Sequence, residues 1–157
     1  MAKTLVAYFS VSGVTKEKAE AIAKAAEADI FEIKPRRPYT REDLDWTNPQ
    51  SRSSLEMKDP DSRPAIAEKV ENMAEYDTVF VGFPIWWYTA PTLIKTFMRS
   101  HDFSGKKIAL FATSGGSDAG KTVEALKPCV DASAVFAEAK LLNGASDAEI
   151  AAWVKSI

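Results

Sequence analysis

Cysteine and histidine are scarce in this 157-residue chain, which has one of each, Cys129 and His101. A lone cysteine closes no internal disulfide, which suits a reducing compartment. One histidine and one cysteine do not assemble a metal centre with the usual ligand spacing, so no metal is expected. No apolar run approaches the roughly 20 residues that a bilayer-spanning helix needs. The apolar stretch after Lys3 runs only from Leu5 to Phe9 and lacks a cleavage-like end, so it reads as a strand and not as a secretion signal. Charge of one sign is absent too: 20 Lys and Arg stand against 22 Asp and Glu, a formal net charge of -2. Bulk electrostatics therefore suggest no nucleic-acid partner. These absences lead to the expectation of a cytoplasmic protein that engages neither membrane nor nucleic acid. What is present is the profile of a globular domain, with 46% hydrophobic, 27% charged and 10% aromatic residues. The length fits one domain, 1–157, large enough to bury a core.

Short apolar runs alternate with helical periodicity along the chain. Leu5–Phe9 reads as a buried strand, and Ala19, Ile22, Ala23 and Ala26 form a helical stripe after it. Ile30–Ile33 is a second strand. Ser62-Arg63-Pro64 suggests a helix start, with Ile66, Val70 and Met73 as its apolar face. Val79–Phe83 is a third strand, followed by a helix from about Pro91 to Arg99. Ile108–Ala112 is a fourth, followed by a helix from about Ala119 to Val130. Val135–Leu142 reads as one fifth strand, and Ser146 or Asp147 caps a last helix. Five βα units predict an α/β fold, a doubly wound parallel sheet with helices on both faces. Strands one, three and four are apolar throughout, as central strands are. Asp29 and Glu32 in the second, and Glu138 and Lys140 in the fifth, place those two at the edges. The predicted order is 2-1-3-4-5. The excursion at about 34–63 breaks the rhythm: it is long, charged and Pro- and Ser-rich, with Thr40 and Asp43 able to cap a turn reaching Trp46. It admits two readings, a surface loop or a flap over a site.

In such a sheet ligands bind beyond the carboxyl ends of the strands, where the order reverses, here between strands one and three. Three loops meet that edge. Ser10-Val11-Ser12-Gly13-Val14-Thr15 follows strand one and enters a helix. Its hydroxyls, its glycine and the helix N-terminus make an anion cradle, although a plain N-cap has the same composition. Pro84-Ile85-Trp86-Trp87-Tyr88 follows strand three. Its aromatics either pack against the 34–63 excursion or wall the pocket of a flat, conjugated ligand. Thr113-Ser114-Gly115-Gly116 follows strand four, where the glycines permit close backbone approach, or simply form a turn into a helix. A phosphate cradle beside an aromatic wall suits a ligand with a phosphate and a planar heterocycle.

Together these loops resemble the flavodoxin family. Ser10-x-Ser12-Gly13-x-Thr15 is similar to its T/S-x-T/S-G-x-T loop for the FMN phosphate. The resemblance implies phosphate contacts from Ser10, Ser12 and Thr15 with the backbone of Gly13 and Val14. It implies that Trp86, with Pro84, Ile85, Trp87 and Tyr88 around it, stacks on the isoalloxazine, and that Thr113–Gly116 meets the pyrimidine end. An uninterrupted fifth strand is similar to short-chain members. Trp87 stands where electron carriers of the family commonly have Gly or Asn, and the chain is nearly neutral where they are acidic. The implied function is electron transfer or FMN-dependent reduction, so either an oxidoreductase or a carrier, with no catalytic side chain named. Its partner would be a redox protein or a small-molecule acceptor, with NAD(P)H as a possible donor.

Two rivals come from other classes. Gly115–Thr122 matches G-x-x-x-x-G-K-[ST], the nucleotide-binding P-loop, but no later strand ends in an Asp to bind magnesium, and Asp77 precedes strand three. A non-catalytic interaction module on the same fold is the other; the three intact loops argue against it. A response regulator is excluded by the lack of an acidic cluster after strands one and three. His101 reads as a helix-end residue and Cys129 as a buried helix residue.

Overall fold

The computed structural model of the protein describes residues 3–11, 13–59, 61–86, 89–113, 122–137 and 139–157. The strands are β1 (Thr4–Tyr8), β2 (Asp29–Glu32), β3 (Thr78–Pro84), β4 (Lys107–Thr113), β5 (Val135–Phe136) and β6 (Lys140–Leu141). The α-helices are α1 (Val14–Ala26), α2 (Arg52–Lys58), α3 (Thr92–Arg99), α4 (Thr122–Leu126) and α5 (Asp147–Ser156). All pairings are parallel, in the order β2-β1-β3-β4-β5, with β6 also on β4. This is the doubly wound, flavodoxin-like order expected from the distribution of charge over the strands.

The pleat sorts the apolar runs between two cores. Val6, Tyr8, Phe80, Ala109 and Phe111 face Ala19 and Ile22 of α1 and Ile150 of α5. Leu5, Ala7, Val79, Val81, Phe83, Ile108 and Leu110 face Leu93, Ile94, Phe97 and Met98 of α3 and Leu126 of α4. Central strands therefore bury both faces, which is why they read as unbroken apolar runs. The last helix starts with a complete capping box: Ser146 accepts from the Glu149 amide, and the Glu149 carboxylate accepts from the Ser146 amide.

Three expectations need correction. Residues 62–72 are not helical. Pro35 and Ile66 form an antiparallel bridge, the Arg36 amide donates to Ala65 O (2.8 Å), and the Ala67 amide donates to Lys34 O (2.7 Å). Ile66, Val70 and Met73 are buried as foreseen, but on an extended strap ending in a 3-10 turn at Met73–Glu75. Long-range backbone pairing with residues 34–36 took the Ala67 amide and the Ala65 carbonyl, groups that a helix would have used. The fifth strand is not continuous either. Val135 and Phe136 pair with Lys107 and Ile108, whereas Lys140 and Leu141 pair with Phe111 and Ala112. The outer strand thus carries one extra residue, in the manner of a β-bulge, which is a common way to blunt a sheet edge. Finally, the helix foreseen at 119–130 is α4 over Thr122–Leu126, followed by a 3-10 turn at Lys127–Cys129. Pro128 cannot donate to a continuing helix; residues 119–121 lie outside the described ones.

The 34–63 excursion is more ordered than its composition suggests. Thr40 and Asp43 cap each other reciprocally, at 3.0 and 3.1 Å. Trp46, beyond that turn, is 74% exposed. Ser51 caps α2 through the Ser54 amide, and the Ser53 amide donates to Asp43 O at 2.9 Å, joining helix to turn.

Candidate functional site

The carboxyl ends of β1, β3 and β4 lie side by side at one edge of the sheet. Gly13 sits at φ +90°, the N-cap of the 13-residue α1, with no side-chain cap. A Cβ there would meet nothing within 4 Å. A left-handed residue in open space ahead of a helix is a place for glycine, and the first-turn amides of α1 remain available to an anion. The Gly13 amide itself donates to Ser10 Oγ at 3.0 Å, closing the loop on itself. Val14 is 42% exposed. Thr15 is buried, and its hydroxyl lies 2.8 Å from that of Thr113, also buried. That contact ties the loop after β1 to the end of β4. It engages Thr15 inward and uses one hydroxyl proton of the two within the pair.

Thr113 also holds the second loop, since its carbonyl accepts from the Ile85 amide at 2.8 Å. Pro84 ends β3. Trp86 and Thr89 exchange two backbone hydrogen bonds, of 2.9 and 3.1 Å, as a tight antiparallel bridge. The half-buried Trp86 ring stands edge-on to Phe9 (5.8 Å, 82°) and to Tyr39 (5.4 Å, 83°). The hydroxyls of Thr89 and Thr92, at the end of this loop and the start of α3, are buried without a partner. Ser12, Trp87, Tyr88 and Ser114–Gly116 lie outside the described residues, as does the P-loop-like run up to Lys121. Thr122, its last position, is fully buried.

Sequence reasoning missed the residues behind Trp86. Tyr39 packs on Phe9 at 5.7 Å as well as on Trp86. Its hydroxyl donates to Glu56 Oε1 at 2.5 Å, and the Arg52 guanidinium lies 3.9 Å above its ring. Arg52 Nε donates to Glu56 Oε2 at 2.9 Å, and Nη1 donates to Arg37 O at 2.7 Å. Burial and the Glu56 carboxylate push the Tyr39 hydroxyl pKa far up, so it stays protonated as a donor. The Arg52–Glu56 spacing of four, after Ser51, was the legible signal of a helix here.

No group of three or more His, Cys, Asp or Glu among the described residues could hold a metal ion. None of the described helices is long and apolar enough to cross a membrane. An open groove of about 670 Å³ lies between β2 and residues 68–72. It is lined by Leu5 and Asp29, near the amino ends of their strands, and so lies away from the three loops.

The comparison with curated proteins finds no match. Solved structures do match. A candidate flavoprotein from Bacteroides eggerthii DSM 20697 is 46% identical, with all of this chain and 98% of that one covered and a TM-score of 0.94. One from Bacteroides uniformis ATCC 8492 is 45% identical over 98% of both chains, with a TM-score of 0.91. A flavoprotein in complex with FMN from Lactobacillus acidophilus NCFM shares the fold at 23% identity, over 98% of this chain and 99% of that one, with a TM-score of 0.72. The family model described as flavodoxin matches residues 3–157, and the chain belongs to that family.

Proposed function

We propose that the protein binds FMN noncovalently across the ends of β1, β3 and β4 and uses it for redox chemistry in the cytoplasm. The observation that carries this reading is the junction at Thr113. Its hydroxyl meets Thr15 and its carbonyl meets Ile85, so the loops that flank the reversal point of the sheet are both tied to the end of β4. The donor set fits the cofactor. The uncapped N-terminus of α1 and Ser10 offer donors to a dianionic phosphate, and Trp86 offers an apolar face to a conjugated ring. That a structural neighbour was solved with FMN supports the same cofactor here.

Bound FMN supplies one- or two-electron transfer. The chain's part is to hold the phosphate, orient the ring and limit water around it. The electron acceptor is a redox protein or a small molecule, with NAD(P)H as the donor when the protein acts as a reductase. The test is a visible spectrum of the purified protein after addition of FMN and gel filtration. Flavin bands near roughly 375 and 450 nm that travel with the protein are expected. A colourless protein overturns the reading. NAD(P)H titration of the coloured protein then separates a reductase from a carrier.

A further inference from the structure

We propose that Tyr39, Arg52 and Glu56 form a positioning unit that sets the attitude of the Trp86 ring, making the 34–63 excursion a fixed wall of the cofactor site. The flavin clause of this proposal rests on the FMN reading above, whereas the positioning of Trp86 does not. Tyr39 is held at three points. Glu56 accepts the hydrogen bond from its hydroxyl, Arg52 covers its face at 3.9 Å, and its ring meets Trp86 at 5.4 Å. The two charged partners are tied to each other at 2.9 Å, with side chains only 12% and 14% exposed. In such a setting hydrogen bonds and cation–π contacts are stronger than at an exposed surface.

The unit is anchored at both ends. Arg52 reaches back to Arg37 O at 2.7 Å and approaches Asp43 at 4.0 Å, and α2 is fastened to the 40–44 turn through Ser53. Phe9, at the end of β1, meets both Trp86 at 5.8 Å and Tyr39 at 5.7 Å, so the three rings form one closed cluster. Two edge-on rings, one from the sheet and one from the excursion, pack against one flank of the indole and favour the orientation it adopts. Tyr39, Arg52 and Glu56 thus act through Trp86 as positioning residues. An excursion that merely shelters aromatic surface would need no hydrogen-bonded ion pair behind the tyrosine.

The test uses protein labelled with 5-fluorotryptophan, with the Trp86 resonance assigned by its loss in Trp86→Phe. In the FMN-free protein, Tyr39→Leu and Glu56→Gln are expected to shift and broaden the Trp86 resonance. The Trp153 resonance should stay unmoved, since Trp153 packs on Phe80 on the opposite face. With FMN, both variants should weaken binding about three- to tenfold, the scale of one aromatic contact, and shift the flavin midpoint potential. Glu56→Gln preserves side-chain shape and carries the test if Tyr39→Leu fails to fold. An unmoved Trp86 resonance in Glu56→Gln overturns the positioning unit, whatever the flavin does. A moved resonance with unchanged FMN affinity and potential overturns the wall of the site. Wild-type protein that takes up no FMN overturns the functional reading, and the resonance still decides the positioning.

Discussion

Gly82 lies opposite Phe111 in the β3–β4 ladder, and a Cβ on it would fall 2.1 Å from the Phe111 ring. That ring is fully buried, so displacing it disturbs the packing around it. Gly82→Ala is therefore expected to destabilise the protein by about 1–3 kcal/mol, the usual cost of overpacking. Denaturant melts of Gly82→Ala, Phe111→Leu and the double variant should show partial rescue; strict additivity of the two costs would remove the contact as the cause. Gly13 is glycine for a different reason, since its surroundings are open and its φ of +90° is the constraint. Gly13→Asp should abolish FMN retention by placing a carboxylate at the proposed phosphate cradle. Gly13→Ala, with a similar backbone cost and no charge, should retain part of it. Equal retention by both variants would contradict the phosphate assignment. Trp86→Ala should weaken FMN binding by roughly 1–3 kcal/mol, from lost stacking and burial. Unchanged quenching of flavin fluorescence would take Trp86 out of the site.

At the scale of elements, the strap at 62–72 and α3 meet at the only histidine. His101 Nδ1 lies 2.9 Å from Phe97 O, and Nε2 accepts from the Val70 amide at 2.8 Å. With Nε2 accepting, the proton sits on Nδ1 and donates to the carbonyl, so the neutral ring satisfies both groups. Burial lowers the pKa from 6.5; the Phe97 carbonyl opposes that shift and Lys69 adds to it. The unfolded chain therefore binds the proton more readily. This contribution to stability is full above pH 6.5 and is lost as pH falls from 6.5 toward the folded-state value. The stability gap between wild type and His101→Gln should narrow over that window in denaturant melts at stepped pH. A gap constant from pH 7.5 downward would show that His101 folds without the assigned proton preference. At the sheet's outer edge, the short segments β5 and β6 replace one long strand, and the extra residue between them offsets the edge ladder.

For the whole molecule, FMN that binds only the folded chain must stabilise it by mass action. At a free concentration one hundred times its dissociation constant the gain is about 2.7 kcal/mol. For a chain of this size that corresponds to a rise in melting temperature of roughly 5–11 °C. Riboflavin, which lacks the phosphate, should give a smaller rise at equal concentration, because the α1 N-terminus then has no anion to hold. No rise with FMN would count against a preformed noncovalent site, and equal rises with both flavins would detach the phosphate from α1.

Much of the fold was legible because its determinants are local or pairwise. Apolar strands separated by helical stripes announce a parallel sheet. Asp29 and Glu32 mark an edge by their cost of burial, and Ser146 with Glu149 carries its helix start in four residues. The first two loops were legible as candidates from hydroxyls, glycine and aromatics at strand ends. What stayed hidden depends on partners far apart in the chain. Ile66, Val70 and Met73 have helical spacing and are buried, yet pairing of 65–67 with residues 34–36 holds the chain at Ile66 out of a helix. Tyr39, Arg52 and Glu56 look like solvated loop residues until the excursion folds back and sets them behind Trp86. Residue types and periodicity therefore determined the sheet, its order and the edge where a ligand would bind. Only the tertiary structure decided which side chains stand behind Trp86, because long-range hydrogen bonds and ring contacts form only when distant segments meet.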